Sequence, residues 1–167
     1  LNGYNAEVKW GTLSDYFEAV HARVTKFDSL SGDFFVYSDV FSEGVPAYWS
    51  GYYSTRPFMK KLSRELESNL RSAEILFTWS LAVAQSMNNQ GALKTLETSF
   101  GGLVKARRNL ALFQHHDAIT GTAKQFVTHD YAEKLFDGII ASRNLMKMSA
   151  QYLLMKDRNL VQKKFLQ

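Results

Sequence analysis

Two of the four histidines stand side by side as His115-His116, and Asp117 follows at once. Imidazole nitrogen and carboxylate oxygen are ligand types that zinc takes, so this triplet is the first place to look for a divalent metal. The same residues also read as a plain helix end. Cationic or polar side chains suit the last carbonyls of a helix, and an aspartate opens a turn. The continuation Ala118-Ile119-Thr120-Gly121-Thr122 favours the metal. An apolar Ala-Ile pair closed by Thr-Gly-Thr fixes the backbone around ligands, which a frayed helix end would not do. Cysteine is absent, which removes thiolate catalysis and disulfides without fixing a compartment.

The elements that must position this triplet are long helices. Phe58, Leu62, Leu66, Leu70, Ala73, Phe77, Leu81 and Ala84 repeat at fours and threes, which predicts an amphipathic helix to Met87. Ser54 or Thr55 is its expected cap, with Pro57 in the first turn, where a missing N–H costs nothing. Asn88-Asn89-Gln90-Gly91 breaks it. Leu93, Leu96, Phe100, Leu103, Val104, Leu110 and Phe113 carry a second helix into the His-His-Asp stretch, with Gly101-Gly102 placed to bend it or to admit a close neighbour. Thr122 to Gln125 fits a capping box. Phe126, Tyr131, Leu135, Ile139, Leu145, Met148, Tyr152 and Met155 then mark a third helix. Three helices joined by short turns pack antiparallel, each covering the others' apolar stripes.

Upstream the pattern changes. Val8-Lys9-Trp10 reads as a short strand, and Thr12 with Asp15 starts a helix to about Lys26 that carries Phe17, Val20, His21 and Val24 on one side. His21 is expected to be a core histidine and not a ligand. Phe34 to Tyr37 is a candidate strand and Ser38 to Pro46 a polar loop. Strand followed by helix signals an α/β unit, and one such unit cannot bury both faces of its sheet, so more of an α/β domain is expected upstream. The chain begins Leu1-Asn2 without an initiator Met and looks like a piece of a longer polypeptide.

Composition narrows the classes. At 167 residues, 46% hydrophobic and 22% charged, the chain can bury a core and is not disordered. Net charge is +4 with a pI near 9.2. Lys and Arg alternate with Glu and Asp along the helices, which argues against a nucleic-acid groove. The basic runs Lys60-Lys61, Lys105 to Arg108 and Lys163-Lys164 read as solvated helix faces. No apolar run is long enough for a membrane span, and no signal-peptide pattern opens the chain. Aromatics crowd between Phe34 and Phe58. Tyr48, Trp49, Tyr52 and Tyr53 form either a sugar-stacking wall or the apolar seam between two domains, the seam being preferred because such surface needs a cover.

Two long strings resemble the α-mannosidases of glycoside hydrolase family 38. They are Tyr48-Trp49-Ser50-Gly51-Tyr52-Tyr53-Ser54-Thr55-Arg56-Pro57 and Phe113-Gln114-His115-His116-Asp117-Ala118-Ile119-Thr120-Gly121-Thr122. The lead-in Gly11 to Phe17 and Gly32-Asp33-Phe34-Phe35 is similar to that family too, so the resemblance spans nearly the whole chain. It implies a mainly α chain, a three-helix bundle preceded by a small α/β remnant of a catalytic domain. Residues 1–50 would be the end of that domain and residues 51–167 the middle bundle. It also implies one zinc ion that binds the hydroxyls of the mannose being cleaved, with His116 as a ligand, Asp117 as the substrate-binding carboxylate and His115 as a supporting substrate contact. The substrate would be a mannose-containing glycan and the setting the secretory pathway, Golgi or lysosome.

The same resemblance sets limits. Its zinc needs two histidines and two aspartates, and the His-x-Asp motif that supplies an upstream pair is missing here. Retaining cleavage needs two carboxyl groups about 5 Å apart, and Asp117 alone does not provide them. No catalytic residue is therefore assigned within this chain, which is expected to be inactive without the rest of the polypeptide. Two rival readings are a non-catalytic helical docking module and an independent metallohydrolase. The latter would need His21 and His129 to join the triplet, and their spacing gives no sign of it.

Overall fold

A computed structural model describes residues 3–42 and 44–155. Two compact units divide between Tyr37 and Ser38.

The first unit contains α1, Leu13–Arg23. Its start follows the expected chemistry. The Asp15 N–H donates to Thr12 Oγ1 at 3.2 Å, and Asp15 Oδ2 accepts from the Thr12 N–H at 2.6 Å and from its hydroxyl at 2.8 Å. This is a reciprocal capping box. The Thr12 backbone N–H, and after it the hydroxyl, hold the Asp15 carboxyl below the usual carboxylate range. A group with a depressed folded pKa stabilises above its unfolded value and loses that contribution as pH falls through the folded one. The α1 cap should therefore open on acidification. Thr12→Val removes the hydroxyl and keeps the N–H, so it should raise the Asp15 pKa partway to normal, read from a carboxyl chemical-shift titration.

No residue described between positions 3 and 37 is buried, which overturns two expectations. His21 is exposed, with its ring 5.5 Å from that of Phe27, and is not a core histidine. Val8-Lys9-Trp10 is not a strand, because an extended segment needs a neighbour for its backbone groups and none pairs with it among the described residues. Phe34 to Tyr37 is irregular as well. The extended structure comes next, where a polar loop was expected: β1, Ser38–Ser42, pairs antiparallel with β2, Val45–Tyr48.

The second unit contains that hairpin, a single 3₁₀ turn at Gly51–Tyr53, and three long helices: α2, Pro57–Ser86; α3, Gln90–Phe113; and α4, Gln125–Leu154. The apolar periodicity reports them faithfully. Leu66, Leu70, Ala73, Phe77 and Ala84 of α2 are buried, as are Leu96, Leu103 and Phe113 of α3 and Leu135, Ile139, Leu145 and Tyr152 of α4. Each fully buried large side chain contributes roughly 1.5 to 3 kcal/mol. Phe58 and Phe126, expected in the stripes, face solvent. Met59 takes the inward position at the start of α2.

Contacts fix the directions. Arg56 reaches Thr128, Arg143 reaches Glu65, and Ser80 reaches Ser149, so α2 and α4 run parallel. Lys105 pairs with Asp137, Asn109 with the Lys134 carbonyl, and Phe113 with Tyr131, so α3 runs antiparallel to α4 and hence to α2. Gly102 lies where α4 comes close: a Cβ there would sit 3.2 Å from Leu145 Cδ1. Among the described residues no helix is long and apolar enough to cross a membrane. Lys105 is exposed, as a solvated basic run requires, while Lys163-Lys164 lie outside the described residues.

Candidate metal centre

The loop between α3 and α4 carries the triplet. Phe113 and Ala118, 1% and 5% exposed, are buried on either side of it. With both anchors turned inward, the intervening His115, His116 and Asp117 face outward and all three are exposed. The backbone closes beneath them. The N–H groups of Ala118 and Ile119 both donate to the His115 carbonyl, at 2.9 and 3.3 Å, and Gly121 N–H donates to the Ala118 carbonyl at 3.0 Å. The Thr120 hydroxyl lies 2.7 Å from the His116 carbonyl, to which it donates.

The side chains converge. One ligand atom from each of His115, His116 and Asp117 lies within 4.8 Å of the others. The two imidazole rings are 4.5 Å apart, and His115 Nε2 is 3.4 Å from Asp117 Oδ2. The His115 to Asp117 spacing is a direct polar contact that sets His115 beside the Asp117 carboxylate. The other Asp117 oxygen is engaged by the Thr122 hydroxyl, which donates at 3.0 Å and fixes the carboxylate plane. Two imidazoles and a carboxylate on an exposed loop fit zinc by donor type, and the loop leaves the outer positions to donors from elsewhere. His129 is not in this group: it sits on α4 with its Nε2 3.2 Å from Gln125 Nε2.

What holds the loop from behind was not apparent in the sequence. α2 begins without the expected Ser54 or Thr55 cap. Its N-cap is Arg56 in the left-handed region, φ 52°, and Thr55 turns its hydroxyl back to the Gly51 carbonyl at 2.6 Å. The Arg56 guanidinium instead donates from Nη1 to the Ala123 carbonyl and to Thr128 Oγ1, both at 2.7 Å. One turn further on, the Lys60 ammonium donates to the Ile119 carbonyl, so Lys60 does not belong to a solvated face. Burial pushes the Lys60 pKa below its ordinary value. Gly121 adopts φ +75° against Thr55, where a Cβ would come within 2.8 Å of Thr55 Cγ2 and 2.9 Å of its carbonyl oxygen. The capping box expected at Thr122 is missing as well, since α4 starts at Gln125 with Lys124 as N-cap and Thr122 serves Asp117. The two long sequence strings thus meet in space.

The aromatic stretch departs from expectation. Tyr48 is 65% exposed, Trp49 49% and Tyr52 37%, so these rings do not form a seam buried within the described structure. The Tyr52 and Tyr53 rings meet at 4.6 Å, tilted by 55°, and both remain exposed. The short hairpin and the 3₁₀ turn offer no core deep enough to cover them.

Comparison with known proteins agrees with the resemblance of the two strings. The family described as the alpha mannosidase middle domain matches residues 47–153. An alpha-mannosidase 2 of Spodoptera frugiperda is 51% identical over 161 residues, covering 94% of this chain and 14% of the relative. The alpha-mannosidase 2 of Rattus norvegicus is 43% identical over 164 residues, and that of Homo sapiens 40% over 163, each covering 93% of this chain and 14% of the relative. The chain thus spans about one seventh of the length of these curated relatives. With the middle-domain match over most of its length and this level of identity, the chain belongs to the α-mannosidases of glycoside hydrolase family 38.

Proposed function

We propose that this chain is a segment of a zinc-dependent α-mannosidase that hydrolyses the α-mannosides of glycans with retention, and that it is inactive by itself. In this reading His116 supplies one zinc ligand, Asp117 receives hydroxyls of the mannose, and His115 supports Asp117. When bound, the zinc would act as a Lewis acid and anchor the sugar hydroxyls. The remaining ligands, the nucleophile and the general acid come from the rest of the same polypeptide. Residues 1–50 would be the end of the catalytic domain and residues 51–167 the middle bundle. The open faces of Tyr48, Trp49 and Tyr52 would be covered there, and the parent protein would work in the secretory pathway. The convergence of His115, His116 and Asp117 on one outward-facing loop carries the reading.

Asp117→Asn in the complete polypeptide tests it. The variant should keep its zinc and lose turnover roughly 10- to 100-fold, the cost of replacing a charged hydrogen-bond acceptor with a neutral amide. Zinc content and the hydrolysis rate of an aryl α-mannoside are the measurements. Wild-type turnover in this variant would sink the assignment of Asp117 to the sugar. Loss of the metal would instead make it a ligand.

A further inference from the structure

We infer that Lys60 and Arg56 are positioning residues that set where the His-His-Asp loop presents its side chains, a role that rests on the function proposed above. The start of α2 and the two residues before it grip the loop at three points: Lys60 at the Ile119 carbonyl, Arg56 at the Ala123 carbonyl, and Thr55 against Gly121. These points lie on residues 119–123, directly behind the triplet. The bundle core reaches this end through Met59, Phe113 and Ala118, and neither cation is among its buried residues.

The chemistry chosen is informative. An apolar side chain in the place of Lys60 would pack the loop without bringing an ammonium group out of water. A cation on a carbonyl gives what packing does not, a directional bond to one backbone atom. Arg56 keeps a left-handed conformation rare for a side chain of its size, and its guanidinium ends on two oxygens of the loop and of α4. Directional bonds and backbone strain are thus gathered where a shift of the loop would move His116 and Asp117 together. Partners hydrogen-bonded to a metal ligand itself are worth about 10- to 100-fold in metal affinity or activity, and Lys60, which acts through the loop backbone, belongs at the lower end of that range.

The test uses the complete polypeptide with Lys60→Met, which keeps length without charge, and Lys60→Arg, which restores a cation. Zinc affinity by chelator competition, kcat and KM, melting temperature and hydrogen exchange are compared. The expected result for Lys60→Met is an unchanged melting temperature, faster exchange in residues 115–123 of the metal-free protein, zinc affinity lower by about 10-fold or more, and a raised KM. Lys60→Arg should recover most of these. Unchanged exchange overturns the inference, and so does a fall in zinc affinity that only follows a fall in melting temperature. A wild-type protein that holds no zinc and cleaves no mannoside would sink the proposed function instead, while the exchange comparison still reads the clamp independently.

Discussion

His116→Ala in the complete polypeptide is expected to lose both zinc and hydrolysis while the fold survives. If His116 is one of four zinc ligands, as proposed, its removal would weaken the metal and take away the Lewis acid proposed to anchor the sugar, an effect worth several kcal/mol. At 1.36 kcal/mol per factor of ten, the rate should drop roughly 10³-fold or more. The fold has little to lose. The imidazole is exposed, and the atom of His116 that the loop uses is its carbonyl, which accepts from Thr120 and remains in alanine. The variant should therefore melt with the wild type and fail in metal content and turnover. Full zinc and full activity in it would overturn the metal assignment.

The second large effect is structural. Gly138 of α4 lies where the three helices meet: a Cβ there would stand 2.9 Å from Leu66 Cδ2, 3.0 Å from Leu66 Cδ1 and 3.6 Å from the Ala106 Cα. Leu66 and Ala106 are both fully buried, so neither side chain has free space to swing into. Gly138→Ala gains up to about 1 kcal/mol of helix propensity, but its Cβ would meet a Leu66 side chain that has nowhere to move, an overpacking cost of about 1–3 kcal/mol, so it should be mildly destabilising. Gly138→Leu should force the helices apart and cost about 3 kcal/mol, which lowers the melting temperature of a unit this size by roughly 10 °C. Adding Leu66→Ala should restore part of the loss although that change alone costs about 2 to 5 kcal/mol. If the double variant is as unstable as the sum of the two, the contact is not what excludes the larger side chain.

The three helices were legible because apolar residues at every third or fourth position leave a helix no other face to bury. The clustering of His115, His116 and Asp117 was legible because the three are adjacent in the chain. Polar residues at core positions were not. Ser63, Ser80, Ser142 and Ser149 are buried and break the apolar pattern, although their small volume suits the helix interfaces. Helix starts were misread for a related reason. Thr122 looks like a cap, yet its hydroxyl is spent on Asp117, and Arg56 stands at the N-cap position of α2 with no side-chain cap bond, its guanidinium being engaged 67 and 72 residues away. Lys60 beside Lys61 gives no sign that one of the pair turns inward. The strand expected at Val8 to Trp10 failed because alternation describes a side chain's face and says nothing about whether a pairing strand is present.

The parallel course of α2 and α4 has an electrostatic consequence. Both helices begin at the end of the bundle that carries the His-His-Asp loop, and α3 finishes there. Each macrodipole places about half a positive charge at its N-terminus and half a negative one at its C-terminus, so two starts and one finish leave this end with roughly half a positive charge. Such an end favours anionic groups over cations by about 0.3–1 kcal/mol per helix start, and the Asp117 carboxylate is the anionic side chain of the His-His-Asp loop that stands at it.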